Sequence, residues 1–231
     1  MLWASVSAAS VIAVYGVYYY VHPRFQRWLF LPVVVFTLAY GLHLFPALPT
    51  LNVGTYVLSA DAVPYQLQFD FTKLIIAFAI TTFCFTPKPI YSIEIVDAFV
   101  ILAMVSMLFF FAVVSGYVSF DNKTLSAEFF ILWCFHNLFF VVLGEEMFFR
   151  RFVQTELTRI TDEVYAVFIA AFAFGLAHIG GGVVYACLAT MAGITYGYIY
   201  MITNRIETAV LLHFIVNLIH LFMFTYPSLA T

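Results

Sequence analysis

An all-α bundle that crosses a membrane about eight times is the fold this sequence predicts, and three observations predict it. Of 231 residues, 65% are hydrophobic and only 9% are charged, a balance that places the chain in the polytopic membrane class. The apolar residues fall in long runs, close to the roughly 20 residues a helix needs to cross a bilayer core. No soluble domain, low-complexity segment or internal repeat interrupts them.

The same composition excludes other classes. A net charge of -3, from 9 basic and 12 acidic residues spread over short connections, gives no basic patch, so nucleic acid is not a partner and the lipid bilayer is. Cys84, Cys134 and Cys187 lie in apolar runs at no metal-ligand spacing. They read as packing residues rather than as a disulfide framework or thiolate zinc site.

Taken in order, the spans fall at about 2–21, 28–47, 71–87, 94–119, 127–155, 163–179, 183–202 and 207–226. The whole of 1–231 reads as one membrane domain, with spans but no motif residues in 1–123 and a functional core in 124–231. The first run has no basic residue before it and no clear cleavage site after it, so it reads as a retained span rather than a signal peptide. Between the second and third spans, Val53 to Leu67 is too broken by Gly54, Asp61 and Pro64 to cross, and is expected along the interface. Ala166, Ala170, Ala173 and Ala177 on the sixth span, and Ala189, Gly193 and Gly197 on the seventh, form small-residue faces that let helices approach closely.

Basic residues set the orientation. Arg24 and Arg27, Lys88, Arg159 with nearby Arg151, and Arg205 fall in the odd-numbered connections, whereas the even ones offer only Lys123, balanced by Asp121. By the positive-inside rule the odd connections are cytoplasmic and both termini are outside.

The fifth span carries Gly144-Glu145-Glu146-Met147-Phe148-Phe149-Arg150-Arg151. A charge near a bilayer centre costs at least ~2.5–3.5 kcal/mol, so ionisable groups there usually face a protein interior or a wet cavity. At about 100° per residue, Glu146 and Arg150 are an i,i+4 pair on one face and Glu145 is turned away from them, a carboxylate without a counter-ion and hence a candidate base. His136 and Asn137, turned away from Glu145 by the same arithmetic, are assigned to structure or another face. His178 ends the sixth span, and His213, Asn217 and His220 share one face of the eighth. Depths of roughly 15 Å for Glu145, 22 Å for His178 and 9 Å for His213 from the cytoplasmic ends bracket the midplane and allow these groups to converge. Each has a bland alternative as an interhelical hydrogen-bonder, with His22 and His43 interfacial and His220 unassigned.

Glu145-Glu146-x-x-x-Arg150, Phe174-x-x-x-His178 and His213-x-x-x-Asn217 together resemble the three-motif signature of the CAAX protease and bacteriocin-processing (CPBP) family, the glutamic intramembrane proteases also called the Abi family. The resemblance runs from roughly Glu128 to Tyr226. It implies a helical endopeptidase with a cavity open to the cytoplasm and no acyl-enzyme. In it Glu145 activates water with help from His178, and His213 and Asn217 stabilise the oxyanion. Glu146 and Arg150 support the first motif, and Phe174 lines the site. It implies no cofactor or metal. The partner would be a membrane-anchored or lipidated protein or peptide: a CAAX-type tail, a bacteriocin or signal peptide, or a sorting helix. A bacterial cytoplasmic membrane is the expected location.

Three other readings stay open on the residues alone. Two His and one Glu also make a catalytic zinc ligand set, though the His-Glu-x-x-His motif is missing. A non-catalytic scaffold or immunity protein would keep the same polar groups for packing, and a proton-coupled transporter would use Glu145 and the histidines as a relay.

Overall fold

The computed structural model describes residues 2–45, 48–84 and 92–230, without the side chains of 2–5 and 84. Lys88 and the Cys84 side chain therefore lie outside the described residues. Among the described residues there are eight helices: α1 (Leu2–Tyr20), α2 (Pro23–Gly41), α3 (Phe71–Cys84), α4 (Ile95–Val114), α5 (Ala127–Leu157), α6 (Glu163–Ala177), α7 (Val183–Thr203) and α8 (Ile206–Met223). Four of them, α4, α5, α7 and α8, are long and apolar enough to cross a membrane. Val6–Tyr20, Phe71–Phe83 and Glu163–Ala177 are apolar but shorter. Helix α4 turns Ile95, Val96, Phe99, Leu102, Phe110 and Val114 outward, as a helix facing lipid does.

Local chemistry explains where helices begin and end. Pro23 opens α2, where its missing N–H costs nothing, and Arg24 N–H donates to His22 Nδ1 at 3.4 Å. Ser126 caps α5 by accepting from Phe129 N–H at 3.2 Å. Asn204 closes α7 in the left-handed region at φ 55°, and Gly182 at φ 98° makes the turn into α7 that a side chain would oppose.

The expectation of an all-α chain needs one correction. Residues 48–70 form an antiparallel hairpin, β1 (Thr50–Tyr56) against β2 (Tyr65–Asp70). Its register slips between Asn52 and Gly54, a bulge beside the glycine. Tyr65, Leu67 and Phe69 alternate with Gln66 and Gln68, so one face of β2 packs inward and Leu67 is wholly buried against Phe129, Trp133 and Leu221.

The hairpin, the 115–126 connection and the tail after α8 are stitched into one cap. Asp121 N–H donates to Met223 O at 3.0 Å, Thr225 to Ser119 O at 2.9 Å, Leu229 to Tyr117 O at 3.0 Å, and Ala230 to Asp61 O at 2.8 Å. Below it, α6 and α7 pack most closely, with Gly193 and Gly197 of the expected α7 face meeting Ala171 and Val167 of α6 rather than the expected row Ala166, Ala170, Ala173 and Ala177. A Cβ on Gly193 would stand 3.0 Å from Ala171 Cα, and one on Gly197 3.0 Å from Val167. In lipid, where helices gain little from hydrophobic exclusion, such contact is what holds them together.

Candidate active site

Helix α5 is not a regular α-helix. Asn137–Val142 and Met147–Gln154 are π-helical, and they bracket the single α turn Leu143–Glu146 that carries both glutamates. Such wide turns are rare and gather at functional sites. A turn closed i→i+5 takes about one residue more than an α turn, so residues 137–142 each advance by less than 100°. The lag brings Asn137 and His136 round to the side of Glu145, and both line its cavity. Their assignment to another face is thus corrected.

The cavity, of about 370 Å³, lies between α3, α4, α5, α6, α7 and α8. It gathers Glu145, Phe174, His178, His213 and Asn217, with Lys73, Asn137 and Tyr196 beside them. Glu146 and Arg150 lie behind its wall. A smaller hollow of about 180 Å³, between α2, α3, α5 and α6, shares Lys73, Glu145 and His178 with it. The Glu145 carboxylate stands between the two.

Glu145 is not without a counter-ion, which is the second correction. Lys73 Nζ, from the first turn of α3, donates to its Oε1 at 2.8 Å. Gly144 permits this approach, since a Cβ there would meet Lys73 Cβ and the Lys73 carbonyl oxygen, each at 3.0 Å. The other oxygen, Oε2, is buried without a hydrogen-bond partner and lies 3.9 Å from His178 Nε2. His178 Nδ1 lies 2.7 Å from Phe174 O, an acceptor only, so Nδ1 carries the proton and the neutral ring offers Nε2 as an acceptor. Two acceptors face each other across a gap that one hydrogen-donating molecule can satisfy. The Phe174 ring packs against the imidazole, centroids 4.4 Å apart.

Glu146 is bound differently. Arg150 Nε lies 3.2 Å from its Oε2, the i,i+4 pair expected, and His213 Nδ1 lies 2.8 Å from its Oε1. All three side chains are buried, Glu146 and Arg150 almost completely. Arg150 Nη2 also donates to Gly193 O at 3.2 Å, and its guanidinium lies 4.6 Å from the Phe174 ring centroid. Tyr196 stacks on His213, centroids 4.3 Å apart at 16°. Asn217 Nδ2 donates to Asn137 Oδ1 at 3.2 Å, which leaves one amide hydrogen.

The other histidines are held by other partners, although His136 and His220 also line the cavity. His43 pairs with Asp70 at 3.0 Å, and His220 Nε2 faces Thr225 O at 3.2 Å. His136 is held between the Tyr65 hydroxyl at 3.2 Å and Gln68 O at 2.9 Å, which ties the hairpin to α5. Among the described residues, no group of three or more His, Cys, Asp or Glu is arranged to hold a metal ion.

Sequence reasoning missed Lys73 and Asn137. A lone lysine near the start of an apolar run, bearing a charge that the bilayer penalises, was the signal available for the first.

No curated protein and no solved structure matches the chain. Residues 126–219 match the model of a family described as type II CAAX prenyl endopeptidase Rce1-like. That segment holds both glutamates, the arginine, the aromatic, both histidines and the asparagine whose positions have just been described, and over it the chain is similar to the Rce1-like (CPBP/Abi) family, a family of glutamic-type intramembrane proteases.

Proposed function

We propose that the chain is an endopeptidase in which Glu145 activates water for attack on a peptide bond at membrane depth. The observation that carries this reading is the unsatisfied Oε2 of Glu145, 3.9 Å from His178 Nε2. A water about 2.8 Å from both atoms would present its two hydrogens at an angle of roughly 90°, close to its own geometry, and point a lone pair outward. Lys73 holds the opposite oxygen and so fixes the carboxylate plane.

The remaining groups fit the later steps. As water attacks the carbonyl carbon, one of its protons passes to Glu145 and the carbonyl oxygen becomes an oxyanion. The free Asn217 amide hydrogen, and His213 Nε2 when the ring is doubly protonated, are the donors available to it. The Glu146 carboxylate at His213 Nδ1 fixes the direction of the ring. The leaving amine takes its proton from Glu145, which restores the base. Phe174 lines the site and passes its backbone carbonyl to His178, while Glu146 and Arg150 position His213 from behind. Hollows on both sides of Glu145 suit a chain bound on both sides of the scissile bond, as an endopeptidase requires. Their apolar walls suit a membrane-embedded or lipidated protein substrate. We read all eight helices, the shorter ones included, as crossing the bilayer around this site.

The test compares membrane and secreted proteins of cells carrying the wild type, Glu145→Gln or His178→Ala at matched expression. New termini present with wild type and lost with both variants, and reproduced by purified protein in detergent, support the reading. Termini unchanged in both variants overturn it and favour a structural role.

A further inference from the structure

The two ends of the bundle differ in charge, and the cavity belongs to one of them. Every residue lining it from outside the helices, Tyr65, Tyr117, Val118, His178, Tyr226 and Pro227, lies at the hairpin end. From there the walls run along Ala112, Leu108 and Val216 to Glu145 and His213 near mid-helix. No lining residue comes from the opposite helix ends.

Among the described residues, the hairpin-end connections carry a single basic side chain, Lys123, only 4% exposed and held by Asp121 at 3.3 Å and by the Phe224 carbonyl; Lys73, in the first turn of α3 at the same end, is paired with Glu145 at 2.8 Å. The exposed charges there are acidic, Asp61 and Glu128. The opposite end exposes Arg24, Arg27 and Arg159, with Arg205 partly exposed. Lysine and arginine near span ends set membrane orientation, and acidic residues contribute little. The arginine-bearing end is therefore the cytoplasmic one.

We propose that the site opens to the non-cytoplasmic side of its membrane. It would then act on an apolar segment presented from that side, a membrane-embedded stretch or lipidated end, rather than on a lipidated cytoplasmic tail. The substrate half of this inference rests on the protease reading; the orientation does not. It runs against the cytoplasmic mouth that the family resemblance implies. The apolar wall of Leu108, Phe109, Ala112 and Val216, rimmed by tyrosines, accepts such a segment while keeping polar groups at the entrance.

The test uses the full chain with its three cysteines replaced by alanine. Gln66→Cys and Glu128→Cys are introduced at exposed hairpin-end positions, and Thr158→Cys at the opposite end. A membrane-impermeant maleimide is applied to intact cells and then to permeabilised ones. Labelling of positions 66 and 128 in intact cells, with position 158 reached only after permeabilisation, is expected. The reverse pattern, or equal labelling of both ends in intact cells, overturns the proposal, and neither readout depends on proteolysis. The expected labelling without Glu145-dependent cleavage would sink the protease reading and leave the orientation standing. Cleavage confined to cytoplasmic tails would overturn the substrate assignment.

Discussion

Lys73 Nζ donates to Glu145 Oε1 at 2.8 Å across 72 positions of sequence, so the proposed base is gripped on one oxygen and open on the other. Removing the grip leaves the carboxylate but frees its plane to turn. Lys73→Met is expected to lower kcat more than it raises KM. Glu145→Gln, which removes the base itself, should cost about 10²–10⁴-fold. Because the lysine acts through the glutamate, adding Lys73→Met to Glu145→Gln should cost nothing further. Single-turnover cleavage of one substrate by the three variants checks this, and additive losses would separate the two residues.

Arg150 answers a buried carboxylate, and its removal should be felt as instability before it is felt as lost chemistry. Arg150→Ala leaves Glu146, which is 0% exposed, with only the His213 imidazole against it. Breaking a buried pair on one side costs about 3–5 kcal/mol, and the thermal midpoint in detergent should fall accordingly. Arg150→Lys should rescue little, because Nε serves Glu146 while Nη2 serves Gly193 O, and an ammonium cannot span both.

Helix approach at Gly144 and Gly175 is testable with one methyl group. A Cβ on Gly175 would collide with Thr190 Oγ1 and stand 2.7 Å from Ala186 O. Gly175→Ala should therefore destabilise by about 1–3 kcal/mol through overpacking between α6 and α7. Gly144→Ala presses on Lys73 instead and should reduce turnover by moving Lys73 off Glu145. Gly180→Ala, with nothing within 4 Å of its Cβ, serves as the neutral control for both.

The cap has its own acid response. The Ser59 hydroxyl, the largest influence, holds the Asp121 carboxyl below the usual carboxylate range against the opposing effect of burial, and the Lys123 ammonium adds to the lowering. Because folding lowers this pKa, the contribution is complete above the unfolded value of ~3.9 and is lost as pH falls through the folded one. With Asp121 25% exposed, solvent screening keeps the effect below ~1 kcal/mol. Hydrogen exchange over 117–126 should quicken below about pH 4 in the wild type. In Asp121→Asn it should be faster already at neutral pH and show no such step.

Helix positions were legible because a 20-residue apolar run has few other fates, and the Glu146–Arg150 pair survives because, over only four residues, the π-helical lag of Met147–Gln154 still leaves both on one face. Phase was not legible over longer distances. Residues 137–142 hold no glycine or proline, and nothing in their apolar character distinguishes a π turn from an α turn, so the error accumulated unseen to His136. Lys73 was hidden by sequence distance, since its partner lies on another helix. The hairpin was partly visible in the alternation Tyr65, Leu67, Phe69, but β1 has no matching pattern because Gly54 and the bulge break it.

The hairpin passes into α3 with no intervening residue: Asp70 ends β2, Phe71 begins the helix, and Lys73 follows within its first turn. Asp70 also accepts from Thr72 N–H at 2.9 Å and pairs with His43 at 3.0 Å, which clamps the junction to the end of α2. There is no slack in this linkage. Any displacement of the hairpin would therefore be passed to the start of α3, and with it to the lysine that grips Glu145.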